Sequence, residues 1–236
     1  MRTVAVVLAG GSGSRFGGSL PKQLRLLAGK TLVEHCVAAF EQAPAIDGVL
    51  VVMAADKVAQ TAAELSGYGK LIGIVPGGSA RSDSTRQAIA AITAAPGTAG
   101  TDCNVLFHDA ARPLVDQRII ADCVTALDRW QAIGVVVPSS DTIVEVHDGI
   151  LGQVLPRESL ARCQTPQGFR LSVIARAHQL AAADPQFSSL SATDDCGVVR
   201  RYLPEIPIGA VPGSERNIKV TFPGDLVIAE TLLAQA

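Results

Sequence analysis

Short, uninterrupted apolar runs alternate along the chain with longer segments whose apolar positions recur at helical spacing. The runs predict buried β-strands and the periodic segments predict helices. The predicted strands are Thr3–Leu8, Gly48–Met53, Leu71–Val75, Val105–Phe107, Gly134–Val137 and Ile206–Val211. The predicted helices are Thr31–Ala43, Asp56–Leu65 with Asp56 as its N-cap, Ser82–Ala95, Gln117–Trp130 and a last helix from about Gly224 to Leu233.

This alternation predicts a single α/β domain over residues 1–236, with a mostly parallel, twisted sheet covered by helices on both faces. Ligands of such sheets bind beyond the carboxyl ends of the strands. Polar residues that directly follow a predicted strand are therefore the first candidates for function.

The alternation stops at Pro138. The segment Asp141–Leu155 contains two β-type runs on either side of Asp148-Gly149, and Asp-Gly between Val- and Ile-rich runs is a strong hairpin signal. Few predicted helices remain to cover it, so we expect an arm that projects at about residues 138–160. Its apolar residues need a covering surface, and a second copy of the chain is the simplest source. We therefore predict a homodimer formed through the arm.

Composition narrows the possible partners. The formal net charge of the 236 residues is −2, so the chain has no global basic field and we expect no nucleic acid partner. The five cysteines are scattered and form no C-x-x-C pair, which fits free thiols and a cytoplasmic location. No charged segment precedes an apolar stretch and no apolar run approaches membrane-spanning length, so we expect neither a signal peptide nor a membrane contact.

A glycine-rich loop follows the first predicted strand. Glycine lets the backbone approach a ligand closely, and successive N–H groups of such a loop can converge on a phosphate oxygen. The spacing G-x-G-x-x-x-G is one residue longer than the dinucleotide fingerprint, and Ser19 stands where a Walker A loop has lysine. With Arg15 and Lys22 the loop predicts a triphosphate site; a glycine-rich turn with solvated cations is the alternative. The loop's candidate nucleotide ligands are Ala9, Gly10, Gly11 and Gly13.

Two more polar clusters follow predicted strands. In P-G-G-S-A-R-S-D-S, Gly78 can let a base lie against the backbone and Ser84 can offer a hydroxyl, although a capped βα loop explains this cluster nearly as well. In H-D-A-A-R-P, Asp109 can hold Mg²⁺ and Arg112 can face the same ligand. The adjacent His108 is more typical of a packed or capping residue, and we assign it no role.

The remaining candidates lie in the C-terminal part of the chain. Arg157 follows the hairpin, and its proximity to Thr165 favours a phosphate-binding role over a purely solvated one. Thr193 begins a T-D-D run that predicts the cap of a short helix ending near Gly197. Lys219 lies in N-I-K-V-T, which we interpret as an apolar strand; because an unpaired buried ammonium is costly, Lys219 should point into a polar site.

These motifs occur in one order over nearly the whole chain: G-G-x-G-x-R with P-K-Q, P-G-G-x-x-R-x-D-S, H-D-A-A-R-P, T-P-Q, T-D-D and N-I-K-V-T. In this they resemble the 2-C-methyl-D-erythritol 4-phosphate cytidylyltransferases of the non-mevalonate isoprenoid pathway. The resemblance implies a Rossmann-like fold and Mg²⁺-dependent condensation of CTP with methylerythritol 4-phosphate, giving CDP-methylerythritol and pyrophosphate. It also implies a dimer whose arms reach into the partner's site.

The resemblance further implies a role for each candidate residue. The glycine loop, Gly78 and Ser84 would hold the nucleotide, whereas Arg15 and Lys22 would bind its phosphates. Asp109 would serve the metal, Mg²⁺ or another divalent ion, together with the substrate. The residues that would place methylerythritol phosphate are Arg112, Arg157, Thr165, Thr193 and Lys219. Two positions depart from the family pattern: Leu24 replaces an aromatic residue after P-K-Q, and Gly10 replaces a frequent alanine.

Three alternative functions remain open at this point. The first is a cytidylyltransferase that forms CDP-ribitol with the same machinery, against which Ala111 is a single argument. The second is a molybdopterin-type or hexose-1-phosphate nucleotidyltransferase, which Arg157, Lys219 and the arm disfavour. The third is a catalytically silent nucleotide-binding regulator, which the retention of Arg15, Lys22 and Asp109 disfavours.

Overall fold

The computed structural model describes residues 1–11, 16, 21–95, 101–187 and 194–235. Its strands are β1 (Thr3–Ala9), β2 (Leu26–Leu27), β3 (Lys30–Thr31), β4 (Gly48–Met53), β5 (Leu71–Pro76), β6 (Asn104–Asp109), β7 (Ala132–Pro138), β8 (Val144–His147), β9 (Ile150–Val154), β10 (Ala161–Arg170) and β11 (Ile208–Pro212). Its helices are α1 (Leu32–Gln42), α2 (Val58–Glu64), α3 (Arg81–Ala94), α4 (Gln117–Arg129), α5 (Leu171–Ala183), α6 (Asp195–Tyr202) and α7 (Pro223–Ala234). Within these ranges, none of the helices is both long and apolar enough to cross a bilayer.

Seven strands form the central sheet in the order β11-β7-β10-β6-β1-β4-β5. All neighbouring pairs are parallel except those of β10, which runs antiparallel to both β6 and β7. The observed sheet confirms the expected α/β class. Its register pairs Leu8 at the end of β1 with Asp109 at the end of β6, so the glycine loop and the H-D-A-A-R-P segment leave the same edge.

The core lies on both faces of this sheet, because side chains of a strand point alternately to its two faces. Val4 and Val6 of β1 pack in a cluster with α3, α5 and α6, whereas Ala5 and Val7 pack in a second cluster with α1 and α4. Residues of β1 are buried along its whole length, as expected for a central parallel strand. A rigid two-sided core therefore fixes the strand ends that carry the candidate residues.

The predicted hairpin is present as a separate two-stranded sheet of β8 and β9. Asp148 and Gly149 both have positive φ, 51° and 79°, as a type I′ turn requires. Its apolar side chains are largely uncovered: Ile150 is 73% and Leu151 is 71% exposed. Within one chain the hairpin thus contributes little to the core.

The structure corrects two of the predicted helix ends. Asp56 is not an N-cap, since it lies in a 3-10 turn (Ala55–Lys57) and α2 begins only afterwards. The helix predicted to end near Gly197 instead begins at Asp195, because the Asp194 side chain accepts the Gly197 N–H as a cap and the buried Val198 and Val199 continue the helix.

One predicted strand is wrong, and four elements were not predicted, among them the short strands β2 and β3. Residues 217–221 form a loop, in which the Val220 N–H donates to the Ala111 carbonyl at 2.7 Å instead of pairing in a ladder. The sequence pattern also missed β10 and α5. The inner part of β10 is rich in polar residues that are buried through side-chain hydrogen bonds, so it shows no apolar alternation; Gln164, Thr165 and Gln167 are all buried.

Candidate functional site

A cavity of about 580 Å³ opens at the carboxyl edge of the sheet. It lies where β1, β5 and β6 end, and residues 219–221 close one side. The residues that line it are Leu8, Gly10, Gly11, Phe16, Pro21, Lys22, Gln23, Ala54, Gly78, Ser79, Ala80, Arg81, Ser84, Asp109, Ala111, Lys219 and Thr221. The candidates from three separate polar clusters therefore meet in one place, as the strand topology predicts.

The glycine side of the cavity is built for close backbone approach. Ser84 at the start of α3 is buried, and its Oγ accepts the Gly78 N–H at 3.3 Å. A Cβ added to Gly10 would lie 3.1 Å from the same Oγ, and one added to Gly78 would lie 2.1 Å from the Cβ of Asp83. These two strand ends are thus packed so closely that a side chain would clash, and bare backbone lines the cavity there. Ala9 is buried in β1 just behind them.

Gln23, the last residue of the P-K-Q motif, also lines the cavity, although its motif alone predicts no role for it. Its side chain is buried, and its Nε2 donates to the Gly11 carbonyl at 2.6 Å. This bond ties the 3-10 turn Lys22–Leu24 to the beginning of the glycine loop. Gln23 therefore fixes where Lys22 enters the cavity.

Lys22 and Lys219 reach the cavity from opposite ends of the sequence. The Lys22 ammonium donates to the Val220 carbonyl at 3.0 Å, so the loop that carries Lys219 also anchors Lys22. Lys219 donates to Asp109 Oδ2 at 2.7 Å. Lys219 points into a polar site, as predicted, although it does so from a loop.

Asp109 is the electrostatic centre of the cavity. Besides Lys219, it receives a hydrogen bond from Arg81 Nε at 3.3 Å on Oδ1. Burial by itself would raise the pKa of Asp109, but the positive charges of Arg81 and Lys219 hold it well below its ordinary value. Asp109 is therefore a permanent anion between two cations.

Arg81 was not predicted as a site residue, and its second partner was not predicted either. Its Nη1 donates to Asp195 Oδ2 at 2.6 Å. Asp195 is 1% exposed, and its Oδ1 accepts from His178 Nε2 at 3.1 Å. The available signal was the arginine in P-G-G-x-x-R-x-D-S, directly after a predicted strand. The T-D-D run that contains Asp195 predicts a helix cap that could also face a ligand, but not an ion pair with Arg81.

Thr165 and His108 lie behind Asp109 and outside the lining of the cavity formed by the described residues. His108 Nε2 must donate to the Arg112 carbonyl at 3.0 Å, which leaves Nδ1 to accept from the Thr165 hydroxyl at 3.1 Å. The same hydroxyl oxygen accepts the Asp109 N–H at 3.1 Å. Thr165 thus positions the backbone of Asp109, and His108 is a packed residue, as expected.

Besides Thr165, two further predicted substrate ligands do not line this cavity in the part of the chain that the structure describes. Arg112 donates to the carbonyls of Asn217, at 2.7 Å, and Cys163, at 3.2 Å, so it supports the loop that carries Lys219. Arg157 lies at the base of the hairpin, where its Nη2 donates to the Thr142 hydroxyl at 3.2 Å. Arg15, Gly13 and Thr193 lie outside the described residues.

Asp109 can contribute to a magnesium site, but the described residues contain no group of three His, Cys, Asp or Glu side chains that could hold a metal ion by themselves. Mg²⁺ usually keeps several waters and binds one or two carboxylates plus substrate phosphates. A single carboxylate in a cavity lined with cations therefore fits an ion that arrives with a polyphosphate.

Comparison with known proteins identifies the family to which this arrangement belongs. A sequence profile described as 2-C-methyl-D-erythritol 4-phosphate cytidylyltransferase (IspD) matches residues 3–235. The chain belongs to the IspD family. Its family membership makes it a nucleotidyltransferase with the Rossmann-like sheet described above.

Individual relatives agree with this family over almost the whole chain. A 2-C-methyl-D-erythritol 4-phosphate cytidylyltransferase of Thermobifida fusca (strain YX) is 51% identical, covering 98% of this chain and 93% of the relative. The bifunctional ribulose 5-phosphate reductase/CDP-ribitol pyrophosphorylase Bcs1 of Haemophilus influenzae is 36% identical over 98% of this chain, which spans 48% of that relative. The crystal structure of the 2-C-methyl-D-erythritol 4-phosphate cytidylyltransferase from Thermus thermophilus is 31% identical, with a TM-score of 0.74 over 98% of both chains.

The buried His108 predicts how stability depends on pH. Burial lowers the pKa of His108 to about 4, whereas an unfolded histidine titrates near 6.5. Between these values the unfolded chain binds a proton that the folded chain excludes. The contribution of His108 to the free energy of unfolding should therefore be fully present above about pH 6.5. As the pH falls to about 4, the free energy of unfolding should decrease by about 3 kcal/mol.

Urea unfolding of the wild type and His108→Gln at several pH values measures this contribution. The His108→Gln curve should be flatter by about this amount in the same window. His147→Gln, at an exposed position of the hairpin, is the matched control and should parallel the wild type. A His108→Gln protein with the full wild-type slope would contradict the assignment.

Proposed function

We propose that the chain joins CTP to 2-C-methyl-D-erythritol 4-phosphate, giving 4-diphosphocytidyl-2-C-methyl-D-erythritol and pyrophosphate. The observation that carries the proposal is the cavity in which Lys22, Arg81 and Lys219 surround the single carboxylate of Asp109. Such a cavity suits two phosphorylated molecules that must approach each other. The CTP triphosphate lies along the glycine side and Lys22, and the polyol phosphate lies on the side of Asp109 and Lys219.

The reaction needs charge neutralisation more than it needs a base. The attacking group is an oxygen of a phosphomonoester, whose second pKa is near 6, so it is already largely dianionic at pH 7. It attacks the α-phosphorus of CTP, the bond to the β-phosphate oxygen breaks, and pyrophosphate leaves. Cations held in place before the reaction stabilise the charge that develops on the α-phosphate and the leaving group. The nearby His108 is unsuited as a base, since both of its ring nitrogens are engaged.

Asp109 is the residue that would hold Mg²⁺ or another divalent ion, with the phosphates of CTP as further ligands. The ion would supply additional positive charge at the triphosphate. The chain's own part is to bind and orient: Lys22 takes the phosphates, Lys219 takes the incoming phosphate, and Arg15 of the glycine loop is proposed to act beside Lys22. Gly78 and Ser84 shape the position of the nucleotide.

A homodimer would complete the site. The exposed apolar side chains of the hairpin need a covering surface, and Arg157 at its base lies away from the cavity of its own chain. An arm that packs on a second copy of the chain would cover these apolar side chains and would bring Arg157 to the acceptor site of the partner. None of the helices in the described part could cross a bilayer. We propose that the chain works in the cytoplasm on its two small substrates, without a nucleic acid partner.

A pyrophosphate-release assay with a panel of substrates tests the function. Each of CTP, UTP and GTP is mixed with methylerythritol 4-phosphate or ribitol 5-phosphate in the presence of Mg²⁺. We expect release with CTP and methylerythritol 4-phosphate at a kcat/KM at least about tenfold above every other pair. A wrong base or acceptor would leave a buried polar group of the site without a hydrogen-bond partner, which costs more than about 1 kcal/mol of binding free energy. Ribitol 5-phosphate is included as an acceptor because the name of the Haemophilus relative includes CDP-ribitol pyrophosphorylase.

The outcomes of this assay discriminate among the functions. A preference for ribitol 5-phosphate would replace the acceptor while keeping the chemistry. The absence of pyrophosphate release with every pair, together with tight CTP binding in calorimetry, would instead support the silent regulator.

Removal of one cation from the triphosphate side should slow the chemical step. Lys22→Ala should lower kcat by roughly 10²–10³, on the scale of losing one preorganised donor, with a smaller effect on the binding of CTP. Lys30→Ala, in the exposed part of the neighbouring hairpin of β2 and β3, is the matched control and should keep wild-type turnover. Native turnover in Lys22→Ala would remove the lysine from the mechanism.

Mixing two inactive variants tests whether Arg157 acts in the partner's site. Lys22→Ala and Arg157→Ala are each purified, mixed in equal amounts, dissociated by mild denaturant and reassembled. If Arg157 serves the partner, each heterodimer has one intact site, so about a quarter of wild-type activity should return, because half of the dimers are mixed and half of their sites are complete. If Arg157 serves its own chain, no site is restored and activity stays at the level of the separate variants.

A further inference from the structure

Arg81 is shared unequally between two carboxylates. Its Nη1 lies 2.6 Å from Asp195 Oδ2, whereas its Nε lies 3.3 Å from Asp109 Oδ1. The shorter bond goes to the carboxylate that does not line the cavity. The guanidinium of Arg81 is therefore held mainly by Asp195, on the side away from the cavity, where Asp195 cannot contact a substrate directly.

Asp195 is itself held by hydrogen bonds to both its side chain and its backbone. Its Oδ1 accepts from His178 Nε2 of α5, and its backbone N–H donates to the Gln167 side chain at 3.1 Å. Burial raises the pKa of Asp195, but Arg81 and the hydrogen bond from His178 together bring it below its ordinary value, so the group stays ionised. His178 is 2% exposed, and its Nδ1 has no hydrogen-bond partner in the described part of the chain. Its one polar contact there is to Asp195.

This arrangement is an expensive way to stabilise a fold. Desolvation of a buried ion pair offsets most of its Coulomb energy, and well-packed apolar residues would often serve stability as well. A buried carboxylate and histidine directly behind a cavity arginine are better explained by what they do to that arginine. Without Asp195, both nitrogens of the Arg81 fork would be available to Asp109, which Lys219 already holds on its other oxygen.

We propose that Asp195, oriented by His178, is a positioning residue that keeps the Arg81 fork from closing on Asp109. The proposal rests on the function proposed above and extends it to two residues outside the cavity. Because Arg81 is held back, one oxygen of Asp109 keeps a weak, replaceable partner and stays available to hydroxyl groups of the polyol acceptor. Arg81 meanwhile remains at the N-terminus of α3, beside the nucleotide side of the cavity.

Kinetics of Asp195→Asn test the proposal. Asparagine keeps the size of the side chain but weakens the hold on Arg81. We expect the KM for the polyol phosphate to rise about 10–100-fold, the range of one hydrogen bond to a charged group, with kcat and the dissociation constant of CTP within about threefold of wild type. Asp194→Asn is the matched control, because Asp194 caps the same helix without touching Arg81, and it should leave all three constants near wild type.

A double-mutant cycle separates positioning from simple loss of stability. If Asp195 acts through Arg81, then Asp195→Asn should add no further rise in acceptor KM to Arg81→Gln, whereas independent effects would multiply. Multiplicative effects, or an unchanged acceptor KM in Asp195→Asn, would overturn the proposal. A fall in melting temperature without a change in acceptor KM would likewise assign Asp195 to folding alone.

A crystal structure of Asp195→Asn gives a readout that does not depend on activity. We expect two nitrogens of Arg81 on Asp109 in place of one. If Arg81 instead keeps its wild-type position, the positioning role of Asp195 is overturned, even if the wild-type enzyme is active. A wild-type protein that releases no pyrophosphate with any acceptor would overturn the proposed function. The position of Arg81 in the Asp195→Asn crystal would still show whether Asp195 positions Arg81.

Discussion

The structure depends on the pairing of one anion, Asp109, at the end of β6. A carboxylate that remains charged in a partly enclosed cavity must be compensated, and two cations compensate it here. Arg81 comes from the beginning of α3 and Lys219 from the loop before α7. The ion pairs thus join three distant parts of the chain around a single point, and the cavity is the space that this ring of charges encloses.

Much of this could be predicted from the sequence, because the rule involved is topological. In a parallel sheet the strand ends meet at one edge, so polar residues that follow buried strands come together whatever the details of the loops. Gly10, Gly78 and Asp109 were found in this way, and the structure brings them into one cavity. Lys219 was found by a different argument, the cost of an unpaired buried ammonium. Its side chain does line the polar cavity, but it comes from a loop and is 41% exposed, so the burial that the argument assumed is absent.

The remaining features could not be predicted, because they depend on polar residues that behave as core. The inner part of β10 is buried through side-chain hydrogen bonds, so no apolar pattern indicated a strand there. Asn217, for example, is fully buried while its Nδ2 donates to the Thr165 carbonyl at 2.9 Å. The contact between His178 and Asp195 requires the placement of α5, which follows β10 directly, and so it was missed together with that strand. The carbonyls that Arg112 contacts could not be predicted for the same reason, since they lie on the unpredicted strand and loop.

The way in which the cations are held argues for preorganisation at low net charge. With a formal net charge of −2 the chain cannot attract phosphates by a global field, so the cavity must do it locally. Each cation in the described cavity already has a protein acceptor: Lys22 has a carbonyl, Lys219 has Asp109, and Arg81 has two carboxylates. These acceptors keep the side chains in place before a substrate arrives. Substrate phosphates therefore meet donors that need little reorganisation, which is the condition under which fixed charges stabilise a transition state most effectively.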